Sequence, residues 1–64
     1  MENNSTNWDS LGWIMAYEEG EIEELQDIAD GFQKLADRGI IWHLQGHYQR
    51  VLRDLVQQGW VTIS

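Results

Sequence analysis

His43 and His47 stand four residues apart in the stretch G-I-I-W-H-L-Q-G-H-Y-Q-R, Gly39 to Arg50. On a continuous helix that spacing puts two imidazoles on one face, where they could begin a zinc site. Zinc takes three or four ligands, however, and Leu44 occupies the position where an H-E-x-x-H metalloprotease carries its glutamate. Carboxylates from elsewhere would have to complete the set. His43 and His47 are therefore a weak metal option. The plainer expectation is two solvent-facing histidines in line with Arg50 and Asp54, with no cofactor.

Catalysis has less to work with. The nucleophile candidates Ser5, Ser10, Ser64 and the threonines all lie near the ends of the chain. A triad with either histidine would need an oriented base and a cleft that excludes water. Among Glu18, Glu19, Glu21, Glu23 and Glu24 two carboxylates could pair as acid and base, but such a run reads first as a solvated helix junction. The expectation is no enzyme and no catalytic residue.

Binding chemistry is better represented. The chain has 64 residues and four tryptophans, Trp8, Trp13, Trp42 and Trp60. Tryptophan strengthens small cores and is also enriched at interface hot spots. Trp42 and Gly46 are four apart, followed by Gln49 and Arg53. They make either an internal packing seam or a docking notch, where glycine admits a close approach.

Charge supplies a second surface. The net charge is −7. Every acid except Asp37 and Asp54 precedes Lys34, and no Lys or Arg does. Glu18, Glu21, Glu23, Glu24, Asp27 and Asp30 thus form an acidic face that favours a basic protein surface. The same acids could imitate phosphates and occupy a nucleic-acid-binding site, making the chain a DNA mimic. Direct nucleic-acid binding is disfavoured. A helix-turn-helix built from the second and third helices would offer Gln45, Gln49, Arg50 and Arg53, too little positive charge for phosphate contacts.

The elements that must position these residues follow from periodicity and punctuation. Residues 1–7 read as a flexible polar leader and 8–64 as one helical domain. Asn7, Asp9 or Ser10 could cap a first helix over about Asp9 to Glu19, apolar on nearly all sides and stopped by Gly20. A second helix opens at Glu21, where acids offset the dipole, and runs to Gly39. Its stripe at 22, 25, 29, 32 and 36 is helical and favours one continuous helix, with a break at Asp30-Gly31 into two short helices as the alternative. A third helix spans about Ile41 to Gln58 and ends at Gly59. The apolar tail Trp60-Val61-Thr62-Ile63 should fold back over the helices as an extended cap, with pairing to a second copy as the alternative. The predicted core is Leu11, Ile14, Met15, Ile22, Leu25, Phe32, Leu35, Ile41, Leu44, Tyr48, Val51, Leu52 and Leu55.

The predicted fold is therefore all-α, a three-helix small domain with a short apolar tail, with a helical homodimer as an arrangement open to it. Cysteine and proline are absent, so no disulfide staples a core that this length leaves marginal. No apolar run approaches the length of a membrane span and no secretory start precedes the domain. A soluble, unprocessed chain that does not bind membranes is expected, with the reducing cytosol as default compartment.

Tyr17-Glu18-x-Gly20, Phe32-Gln33-x-Leu35, Gly39, Trp42-x-Leu44-Gln45-Gly46-x-Tyr48-x-Arg50 and Gly59 resemble a group of short uncharacterised proteins of tailed bacteriophages. The resemblance covers about Ile14 to Val61, and the W-x-L-Q-G-x-Y-x-R segment is its most specific part. Gln49 stands where that group commonly has glycine, and Val51-Leu52 where it commonly has Thr-Ala. The resemblance implies a small phage protein in the host cytoplasm, with no assigned activity or site. For small acidic phage proteins the class expectation is binding to, and inhibition of, a host or defence protein. A self-assembling structural or accessory role is the further alternative.

Overall fold

The computed structural model describes residues 8–63, so the expected leader and the cap candidate Asn7 lie outside the described residues. Asp9 starts the first helix. Its backbone is extended and its Oδ1 accepts the Gly12 N–H at 3.0 Å, satisfying one of the amides a helix start leaves orphaned. Helix α1 then spans Ser10–Glu18. It closes in a Schellman turn: Gly20 takes φ 81°, its N–H donates to Tyr17 O, and the Glu21 N–H donates to Ala16 O.

That closure corrects the expected start of the second helix. With the Glu21 amide committed to Ala16, the chain leaves α1 without continuing as a helix, and helix α2 spans Leu25–Asp37 rather than opening at Glu21. Residues 21–24 form a linker without regular secondary structure, and Glu24 at its end is extended. Helix α2 is continuous through Asp30-Gly31, as predicted.

The third helix is divided. Ile40–His43 form a short 3₁₀ helix, Leu44 and Gln45 are extended, and helix α3 spans Gly46–Gln57. No strand occurs among the described residues. The architecture is all-α, three α-helices around one core, with the apolar tail folded back as expected. Val61 is buried, and the Gln33 side chain on α2 receives the tail backbone. Its Nε2 donates to Thr62 O at 2.7 Å and its Oε1 accepts the Thr62 N–H at 2.9 Å. One side-chain amide thus does for Thr62 what a neighbouring strand would.

Ala29, Phe32 and Leu35 from α2, Ile41, then Tyr48, Leu52 and Leu55 from α3, and Val61 make up the buried core. Trp13, Ile14 and Tyr17 of α1 pack against it. Trp13 stacks on Tyr17 (5.2 Å, 8°) and meets Phe32 edge-on (5.7 Å, 85°). Gly31 is what lets Trp13 come so close: the edge of the indole lies where a side chain on that residue would begin.

Four predicted core residues are corrected. Leu11 is 66% exposed, Met15 55% and Leu25 44%, and Ile22, in the linker before α2, lines a surface cleft and does not join the core. Trp13, Ile14 and Tyr17 occupy the inward side of α1, so Leu11 and Met15 fall on the outward side. Leu25 is the first residue of a helix that begins later than expected.

Candidate partner-binding groove

Of the residues singled out in the sequence, Trp42, Gln49 and Arg53 come together. They line a groove of about 370 Å³ with Leu52, Val56, Gln57 and Ile63. The 3₁₀ helix presents Trp42, α3 supplies one wall, and the tail clipped by Gln33 brings Ile63 across. Trp42 remains 55% exposed, so the described residues do not cover it. Gln49 Nε2 also reaches back to Ile41 O at 3.4 Å, a weak tie between α3 and the 3₁₀ helix. The lining is apolar along Leu52, Val56 and Ile63, with two amides and one guanidinium, and no carboxylate.

Gly46 does not belong to this groove. It is the first residue of α3, and a Cβ added there would meet nothing within 4 Å. The predicted notch assumed that Trp42 and Gly46 share a helix face; the extended residues Leu44 and Gln45 intervene. The same break corrects the expected helical pairing of His43 and His47. Both are exposed, on different elements, and the His47 ring packs 4.3 Å from that of Tyr48. Among the described residues no three His, Cys, Asp or Glu side chains gather as a metal would require.

The acidic face is also divided. Glu18 accepts the Tyr48 hydroxyl at 2.5 Å, tying the end of α1 to α3. This raises the Tyr48 pKa above its ordinary 10.0, first because burial disfavours the phenolate and then because Glu18 holds and repels it. Glu23 and Glu24 are exposed on the linker, while Glu21, Asp27 and Asp30 line a different cleft with Trp8 and Trp13.

Sequence reasoning missed Ile63 as a groove wall and the pairing of Trp8 with Trp13. The apolar tail was a signal for the first. Nothing in the spacing signalled the second, which depends on the chain before α1 returning toward α2.

A family model described as "Domain of unknown function (DUF7417)" matches residues 11–64. The chain belongs to that family. The DUF7417 match includes every residue that lines the Trp42 groove and leaves out Trp8. Neither the curated proteins nor the solved structures returned a match. No helix among the described residues is long and apolar enough to cross a membrane.

Proposed function

We propose that this DUF7417 chain is a non-enzymatic binding protein of tailed-phage origin. It engages a host or defence protein in the host cytoplasm, blocks it, and uses the Trp42 groove as its docking surface. One observation carries this reading: Trp42 is a large indole left more than half exposed beside an apolar groove. Exposed tryptophans beside such grooves are the residues that dominate interface energies. The phage source rests on the W-x-L-Q-G-x-Y-x-R resemblance.

The test is affinity capture from host lysate with wild-type bait, Trp42→Ala bait, and bait neutralised at Glu21, Glu23, Glu24 and Asp27. The expected result is a specific partner lost with Trp42→Ala and kept by the neutralised bait. The reverse result, with strong salt sensitivity, would replace this reading with DNA mimicry through the acids. Mimicry is the weaker reading because the acids from 18 to 30 are split among a helix end, a linker and α2.

Self-assembly is supported by a different observation, the outward Leu11 and Met15 of α1. An apolar helix face left open is usually covered by something. Mass in solution across concentration tests it, and a monomer throughout removes it.

A further inference from the structure

A second cleft, of about 330 Å³, is lined by residues between Trp8 and Lys34 and shares no residue with the Trp42 groove. Trp8 and Trp13 line it together with Glu21, Asp27 and Asp30. The two indole centroids are 6.2 Å apart and inclined at 44°, too close for a group to slide between them. A ligand would meet their outer faces.

The chain itself shows what those faces attract. Lys34 Nζ lies 5.3 Å from the Trp8 ring centroid and Arg38 Cζ lies 5.4 Å from it. Lys34 also lines the cleft. An indole face draws cations through its quadrupole, and the surrounding acids add to the attraction. A metal ion does not suit this arrangement, because the carboxylates do not converge as metal ligands must. A guanidinium does. It is planar, stacks on an indole, and carries five donors that can reach separated acceptors. The cleft volume sits at the lower end of ligand sites, room for one long side chain.

We propose that this cleft takes an arginine side chain from a basic segment of a partner protein. The guanidinium lies on the Trp8 indole, in the place Lys34 now holds, and pairs with Asp27, Asp30 and Glu21. Lys34 is an internal stand-in that the incoming arginine displaces. The inference goes beyond the Trp42 groove, and neither site depends on the other.

The test titrates the full chain with acetyl-tetraarginine amide and with acetyl-tetralysine amide, following the four indole N–H signals by NMR. The expected result is saturable shifts at Trp8 and Trp13 with Trp42 and Trp60 unmoved, and tighter binding of the arginine peptide. Asp27→Asn with Asp30→Asn, both exposed positions, should weaken binding about tenfold with signal dispersion unchanged. Lys34→Met should tighten it about fivefold by removing one of the two cations, Lys34 and Arg38, that lie over Trp8. Equal shifts at all four indoles, equal affinity for the two peptides, undiminished binding by the Asn variant, or no gain with Lys34→Met would each overturn the proposal. Loss of the Trp42-dependent partner would not be implied by any of them.

Discussion

Gly31→Ala sets a helix argument against a packing argument at one residue. Inside a helix, alanine in place of glycine should add about 1 kcal/mol of stability. In the folded chain the new Cβ would stand 2.6 Å from Trp13 Nε1, and nearer still to Cε2 and Cζ2. Trp13 can move only toward the cleft it lines, and doing so pulls it from Tyr17, which stacks on it, and from Phe32, which meets it edge-on. Overpacking of this kind costs about 1–3 kcal/mol, and each aromatic pair loosened costs about 0.5–1.5 kcal/mol more. After the helix gain is subtracted, a net loss of about 2 kcal/mol is expected.

A domain this small has a total stability on the order of 3–5 kcal/mol, so the variant should be marginal. Its melting temperature should fall by about 8–16 °C. Thermal and urea melts by far-UV circular dichroism measure the loss, and near-UV dichroism reports the indole. The decisive control is Trp13→Leu, assayed with trimethylamine N-oxide present to keep the chain folded. With the indole gone, Gly31→Ala should become neutral or stabilising by up to about 1 kcal/mol. A gain in stability from Gly31→Ala in the wild-type background would refute the slot. So would an identical loss in both backgrounds.

Two further perturbations follow from single contacts. Gln33→Ala removes both hydrogen bonds to Thr62 and should lower stability by about 1–2 kcal/mol; hydrogen exchange should speed up at the Thr62 amide while α3 stays protected. Unchanged exchange at Thr62 would show that Val61 alone holds the tail. Tyr48→Phe deletes the hydrogen bond to Glu18 and should cost about 1 kcal/mol at neutral pH. Because folding raises the Tyr48 pKa from its ordinary 10.0, the folded chain keeps a proton that the unfolded chain releases. Stability from this group is therefore complete below pH 10 and falls above it, by up to about 1.4 kcal/mol per pH unit. Urea melts across pH 8 to 11 should show a shallower alkaline decline for Tyr48→Phe than for wild type, and parallel declines would contradict the assignment.

What the sequence disclosed depended on whether a residue's signal pointed in a direction. Gly20, Gly39 and Gly59 were legible as stops because each takes positive φ, a conformation that glycine reaches without strain. The α2 stripe was legible from Ala29 through Phe32 to Ala36, where one face is apolar and the other is not, but not at Ile22 and Leu25, which precede or open the helix. In α1 both faces are apolar, so Leu11 and Met15 looked the same as Ile14, and Trp13 and Tyr17, which pack inward, were missing from the predicted core. The break at Leu44 and Gln45 was hidden for another reason. Ile41, Leu44, Tyr48, Val51 and Leu55 fit one continuous helix, yet a 3₁₀ helix followed by α3 also buries Ile41 and Tyr48. Periodicity records which residues face inward, and two backbone paths can satisfy the same record.

That hidden break decides the shape of the candidate site. On a continuous helix Trp42 would lie in line with Gly46, and a notch between them would be a property of one element. With Leu44 and Gln45 extended, Trp42 instead meets α3 residues further along, Gln49 and Arg53, and the tail residue Ile63. The groove is therefore assembled from three parts of the chain, and one of them is held from a distance. Gln33, on α2 and outside the groove, fixes Thr62 beside Ile63 through two hydrogen bonds. The groove wall is only as stable as that clip and the burial of Val61. A partner that engages Trp42 would thus read the folded state of the whole domain, because no single helix carries the surface it binds.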